Sequence, residues 1–148
     1  MAATEIDPTA IAFQVTFDAH EPHAVAAFWA EVLGYEVEDS SALVEQLVAA
    51  GQLPASEVVQ VNGRAAFRVG AGITDPTGTR PRLLFQVVPE GKAAKNRVHL
   101  DLRVGVDNID AEVERLTGLG ATFAWESNDR GGRCVTMRDP EGNELCLT

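Results

Sequence analysis

Gln14-Val15-Thr16-Phe17-Asp18 and His99-Leu100-Asp101-Leu102-Arg103 are the two stretches on which the reading of this chain turns. Each opens a run of the same kind: a short strand with one apolar side, an amphipathic helix, and a Leu-Gly stop. The stop is Leu33-Gly34 in the first run and Leu119-Gly120 in the second. From Gln14 to Gly34 is 20 residues, and from His99 to Gly120 is 21. Self-similarity of this kind sets the architecture before any local motif is weighed. The later parts rhyme as well. Asp75-Pro76-Thr77-Gly78 precedes residues 83–88, and Asp139-Pro140-Glu141-Gly142 precedes residues 144–147, so each turn feeds the last strand of its run. Two copies make a paired domain rather than a solenoid.

Residues 11–18 alternate, with Phe13, Val15 and Phe17 on one face and Gln14, Thr16 and Asp18 on the other, which is a strand with one apolar side. Over residues 22–33, Val25, Phe28, Trp29 and Val32 recur at helical spacing and can cover that side. Pro22 suits the first helical turn and Gly34 ends the helix. Residues 35–38 read as a strand. Ser40 or Ser41 then caps a short helix with Leu43, Val44, Leu47 and Val48 as its stripe, an insertion without a counterpart in the second copy. A hairpin of residues 58–61 and 65–69 is expected around Asn62-Gly63. Residues 70–81, rich in glycine and proline, read as a loop, 82–88 as a strand and 89–96 as the link between copies. The second copy reads as strand 97–104, helix 109–119 and strands 122–126, 133–138 and 144–147.

The formal net charge of -10 argues against a phosphate-backbone partner, which needs a basic face, so nucleic acid and anionic membrane surfaces are set aside. No apolar run approaches the ~18 residues of a membrane span, and residues 1–8 carry no basic, apolar leader, so a cytoplasmic protein is expected. In that setting Cys134 and Cys146, on adjacent predicted strands, read as buried thiols. At 148 residues the whole chain, 1–148, is expected to form one domain, with module one at about 10–90 and module two at about 96–148.

Val98, Leu100, Leu102 and Val104 point one way from their strand, and His99, Asp101 and Arg103 the other. A helix-covered face must be apolar, so the polar face lines water or a site. His99 stands where Gln14 stands. In the last strands Gln86 and Glu144 also point away from the helices, so pairing of the modules would gather Gln14, Gln86, His99 and Glu144 around one concavity. Trp125 lies on a strand beside it, as wall or as core. His20-Glu21-Pro22-His23 lacks the i, i+4 histidine spacing of a helical zinc motif and reads as exposed loop. Lys92, Lys95 and Arg97 read as a solvated basic linker, or as a contact for an anionic group at the cavity mouth.

The doubled βαβββ pattern, Phe28-Trp29 before Leu33-Gly34, the Asp139-Pro140-Glu141-Gly142-Asn143-Glu144 turn and strand, and Lys95-Asn96-Arg97-Val98-His99-Leu100-Asp101 resemble the vicinal oxygen chelate superfamily. More narrowly they are similar to its glyoxalase-like branch, related to glyoxalase I, bleomycin resistance proteins and extradiol dioxygenases. The resemblance implies an α+β fold of two tandem βαβββ modules that pair into a curved, cup-shaped mixed sheet with helices outside, in a homodimer. It implies a metal set at Gln14, Gln86, His99 and Glu144 for a divalent ion (Zn, Ni, Co, Mn or Fe). Gln86 stands where the family normally has Glu, which removes a negative charge. On one reading the protein is a metal-dependent lyase or isomerase acting on a small molecule, with Glu144 as the catalytic proton acceptor and Asp101, Arg103 and Trp125 meeting substrate. On the other it is a metal-free protein that sequesters a small, antibiotic-type molecule. An iron dioxygenase is less favoured, because only one matching His is present.

Overall fold

In a computed structural model of the chain, residues 9–129 and 131–148 are described. The first copy comprises β1 (Val15–Ala19), α1 (Pro22–Leu33), β2 (Glu36–Val37), α2 (Ser41–Ala49), β3 (Val58–Val61), β4 (Arg64–Phe67), β5 (Gly70–Thr74) and β6 (Leu83–Val87). The second comprises β7 (Leu100–Leu102), α3 (Ile109–Leu119), β8 (Thr122–Ser127), β9 (Cys134–Arg138) and β10 (Glu144–Leu147). Two mixed four-stranded sheets result, ordered β1-β6-β5-β2 and β7-β10-β9-β8, with β3-β4 as a separate hairpin. In each the first and last strands of the module run parallel and the other pairs antiparallel. The α+β fold of two βαβββ modules is therefore present, without a closed barrel.

Both long helices keep the bounds that periodicity and end signals predict. Pro22 opens α1, and Gly34 and Gly120 close α1 and α3 in the left-handed conformation. At the start of α1 the Glu141 carboxylate of the second module accepts the backbone N–H groups of His20 and Glu21. Asn62 and Gly63 both have positive φ, as a tight two-residue hairpin requires. The helix predicted after Ser40 begins at Ser41, but its capping acceptor is Asp39, whose Oδ1 takes the Ser41 N–H at 3.0 Å.

Residues 70–81 are not all loop. Gly70–Thr74 is the strand of module one that matches β9, and it pairs with β6 from Gly70↔Gln86 to Ile73↔Leu83. Its Gly-Ala-Gly start lacks the side chains that mark a strand, yet the space beside it excludes larger ones. A Cβ on Gly70 would lie 2.5 Å from the Phe85 carbonyl oxygen, and one on Gly72 would collide with the paired Glu38 and Arg82 side chains. The β3-β4 hairpin therefore belongs to the insertion together with α2. The first strands are also shorter than predicted: Ile11, Phe13 and Val98 lie outside β1 and β7 and are exposed.

The core is one cluster that both modules share. Phe17 stacks on Phe85 with ring centroids 5.1 Å apart and lies tilted against Trp29 at 5.5 Å, and Phe28 meets Trp29 edge-on. Trp29 is fully buried, and its indole N–H donates to Asp139 Oδ2 at 2.9 Å across the modules. Arg115 of α3 donates to the Glu31 and Val32 carbonyls at the end of α1. Both Asp-Pro turns are closed by their aspartates. Asp139 accepts the N–H groups of Glu141 and Asn143, and Asp75 accepts those of Thr77, Thr79 and Arg80. Arg80 adds an ion pair to Asp75 and, with the Thr77 bonds, holds that carboxyl far below the usual carboxylate range. Among the described residues no helix is long and apolar enough to cross a membrane.

A hydrogen bond to a buried carboxylate is worth about 1.5–3 kcal/mol, so Trp29→Phe is expected to lower the unfolding free energy by about 2–3 kcal/mol. Urea unfolding followed by circular dichroism measures it; a loss below about 0.5 kcal/mol would mean that the tie between modules carries little.

Candidate functional site

The faces of the two sheets turned away from α1 and α3 carry the polar residues. Parallel pairing fixes which of them meet. Val15 is in register with Leu83 and Leu100 with Leu145. One residue earlier, Gln14 falls beside Arg82, and His99 falls beside Glu144. The position that matches Glu144 in module one is thus Arg82; Gln86 lies further along that face, in register with Asp18.

Arg82 directs three of its five N–H donors to neighbouring side chains there. Its guanidinium forms a two-bond pair with Glu38, at 2.6 and 2.7 Å, and donates to Gln14 Oε1 at 2.8 Å. The Glu38 bonds also raise its pKa. Gln86 donates to Asp18 Oδ1 at 2.8 Å. Glu144 is nearly buried. Its Oε2 accepts the Asn96 N–H at 3.0 Å, and its Oε1 lies 3.2 Å from Lys92 Nζ. Burial pushes its carboxyl up, but the Asn96 bond and the Lys92 ammonium outweigh this and leave the pKa below the ordinary value.

Two cavities occupy the two polar faces. The first, of about 700 Å³, lies over module one beneath α2 and the β3-β4 hairpin. Leu43, Val61, Phe67, Val69 and Leu84 give it an apolar wall, and Glu38, Arg82 and Gln86 a polar end. His23 Nε2, 2.9 Å from the Phe67 carbonyl, ties the start of α1 to the hairpin; Arg64 of the hairpin pairs with Asp39 before α2. The second cavity, of about 470 Å³, lies over module two and is lined by His99, Asp101, Trp125, Thr136, Glu144 and Cys146, among others.

Of the residues singled out by sequence, His99, Glu144, Asp101 and Trp125 therefore share the second cavity. Gln86 lines the first, Gln14 is bonded to Arg82, and Arg103 is exposed and lines neither. Trp125 is wall rather than core, 38% exposed with the Arg138 guanidinium 6.0 Å from its ring centre. Lys92 serves Glu144 and Lys95 lines the second cavity, whereas Arg97 faces a smaller cleft between β1 and β7. Both cysteines are free thiols; burial, the main cause, pushes Cys146 up to about 11. Arg82, Glu38 and the hairpin residues were missed. The only local signal was the length of the insertion, a common sign of a lid.

The sequence profile of the glyoxalase-like domain matches residues 14–148. The chain belongs to the glyoxalase-like domain family. Solved structures agree on the fold. A glyoxalase/bleomycin resistance protein/dioxygenase family enzyme from Burkholderia phytofirmans is 14% identical, with a TM-score of 0.59 over 90% of this chain and 94% of that one. The fosfomycin resistance protein FosX from Listeria monocytogenes is 13% identical, with a TM-score of 0.60 over 94% and 89%. A mutant of the same protein, 11% identical with a TM-score of 0.59 over 94% and 88%, is complexed with Mn(II) and a dihydroxypropylphosphonic acid. No curated protein matches this chain. The resemblance to the vicinal oxygen chelate superfamily is thus borne out.

The residues at the metal positions that the resemblance implies do not fit an ion at the junction of the four strands. Gln14 and Glu144 already accept bonds from Arg82 and Asn96, and two cations, Arg82 and Lys92, stand where a divalent ion would have to enter.

Because the folded pKa of Glu144 is lowered, its stabilising contribution is present above the unfolded value near ~4.3 and lost as pH falls below it. Glu144→Gln is expected to flatten the fall of Tm between about pH 5 and pH 3. Equal slopes in both proteins, by scanning calorimetry, would contradict the ion pair with Lys92.

Proposed function

We propose that this glyoxalase-like protein binds a small, largely apolar molecule in the cavity of module one and holds it without a metal ion at Gln14, Gln86, His99 and Glu144. The observation that carries the reading is Arg82. It stands in register where Glu144 stands in module two, and it is neutralised by Glu38 beside a roofed apolar wall. A volume of about 700 Å³ is within the common range of ligand pockets, and one polar end with apolar sides suits a molecule with a single polar group. The α2 and β3-β4 insertion supplies most of the roof, so it sets which molecule enters. Arg82 and Gln86 would orient the polar group; Leu43, Phe67 and Leu84 would exclude water around the rest.

A second reading is favoured by one observation, the placement of His99 beside Glu144 in the same cavity. In it the protein is a divalent-metal lyase or isomerase, as the Mn(II) complex of the FosX neighbour suggests, with Glu144 accepting a proton and Asp101 and Trp125 against substrate. Either reading has the protein act in the cytoplasm on a small molecule, as a homodimer.

The environment-sensitive dye 8-anilinonaphthalene-1-sulfonate, apolar with one anionic group, is the probe that separates them. One dye per chain should bind with enhanced fluorescence. Filling the cavity by Leu84→Trp should weaken it at least about tenfold, since burying an aromatic-sized body is worth about 1.5–3 kcal/mol. Glu144→Gln should leave it unchanged. Dye binding lost in Glu144→Gln and kept in Leu84→Trp would overturn the assignment to module one.

A further inference from the structure

The chain carries two cysteines, and the fold sets both on the cavity-facing side of neighbouring strands of module two. Cys146 of β10 is in register with Thr136 of β9, and Cys134 stands two residues before Thr136. Both line the second cavity, and both are free thiols. We propose that Cys134 and Cys146 are a redox-active dithiol that small-molecule disulfides of the glutathione class oxidise to an intramolecular disulfide on the cavity floor. The site does not depend on what occupies module one.

Three arguments support it. The first is register. The Asp139 N–H donates to the Asn143 carbonyl where the β9-β10 turn closes. Alternation along the ladder then makes Thr136↔Cys146 a non-hydrogen-bonded pair, the kind in which facing side chains approach closest. Cys134 is the diagonal neighbour of Cys146, on the diagonal that the right-handed twist of the pair shortens. Thr136 Oγ1 lies 3.3 Å from Cys146 Sγ, so the Cys146 thiol is already directed along this face. The second argument is the state of the thiols. Burial first, and then the neighbouring Cys134 thiol and Asp101, raise the pKa of Cys146 and outweigh the Thr136 hydrogen bond. The reduced pair therefore gains nothing from ionisation, and a disulfide whose reduced form lacks a stabilised thiolate is the harder to reduce. The third is the internal control that a doubled fold provides. In β5 and β6, Gly72↔Leu84 matches Thr136↔Cys146, which puts Gly70 and Leu84 at the positions of the two cysteines. The same strand pair is built there without thiols, so packing alone does not demand them in module two.

Cys134 is half-buried and Cys146 buried, so an incoming disulfide meets Cys134 first. The Cys134 sulfur attacks one sulfur of oxidised glutathione, and the glutathione that leaves takes up the Cys134 proton. Cys146 then attacks the Cys134 sulfur of the mixed disulfide, and the second glutathione leaves with the Cys146 proton. The protein loses two hydrogens, and the oxidant is reduced to two thiols. Oxidised glutathione is therefore the probe, added to reduced, untagged native protein, with N-ethylmaleimide as quench and trypsin digestion without reductant. The expected product is a single chain lighter by two hydrogens. Its peptides 134–138 and 139–148, released by cleavage after Arg133 and Arg138, should be joined. Equilibration in glutathione buffers should give the thiol pair an effective concentration at least about tenfold higher than in urea, where a flexible chain gives roughly millimolar values. These readouts need no variant to fold. Cys146→Ser should keep one glutathione on Cys134, because the thiol that expels it is gone. Thiols left unmodified, a glutathione that stays on Cys134 in the unsubstituted chain, a link between two chains, or an effective concentration no higher than in urea would each overturn the proposal. None of these outcomes bears on dye binding in module one.

Discussion

The hydrogen bond from the indole of Trp29 to the carboxylate of Asp139 is the constraint on which the arrangement of both cavities depends. Trp29 joins Phe28 of α1 to Phe17 of β1, which stacks on Phe85 of β6. Asp139 closes the turn that leads directly into β10, where Glu144 and Cys146 stand. A buried carboxylate is costly without partners; Glu141 and Asn143 satisfy this one from within its own turn, and Trp29 adds a donor from module one. Among the described residues the two sheets share no ladder, and this bond joins those of Glu141 and Arg115 in tying them together.

Within that frame the two copies have diverged at matching positions. Both offer a polar sheet face, since neither can turn it toward its helix. Module one neutralises its face internally, through Glu38, Arg82 and Gln14, and covers it with an insertion. The small residues of β5 are a consequence: Gly72 leaves the space that the Glu38–Arg82 pair fills. Among its described residues module two has no counterpart of that insertion; its cavity is lined by His99, Asp101 and Cys146, with Glu144 held by Lys92 and Asn96 at one end. The difference between the two faces follows from these residues rather than from the fold, which is the same in both.

Much of the architecture was legible in the chain because its signals are local. Pro22, Gly34 and Gly120 mark helix ends wherever they are read, and the Asp-Pro turns announce the last strands. The strand Gly70–Thr74 was not legible, because what makes it a strand is the ladder to β6 and what keeps its side chains small is a salt bridge from elsewhere. The same holds for the site. Alternation put His99 and Asp101 on one face, but their meeting with Cys146, and the substitution of Arg82 for Gln86 opposite Gln14, depend on the register of parallel strands far apart in sequence. A shift of one residue in either ladder would have given another set of neighbours.

The central claim, that module one is the ligand-binding half, is tested most directly by mapping amide chemical-shift changes in nitrogen-15 spectra as the naphthalene dye is titrated. The account predicts changes confined to α2, the β3-β4 hairpin, β5 and β6, with residues Leu43, Phe67, Gly72 and Leu84 among them and Leu100–Leu102 and Glu144–Leu147 unmoved. Changes centred on His99, Asp101 and Glu144, with the hairpin silent, would contradict it.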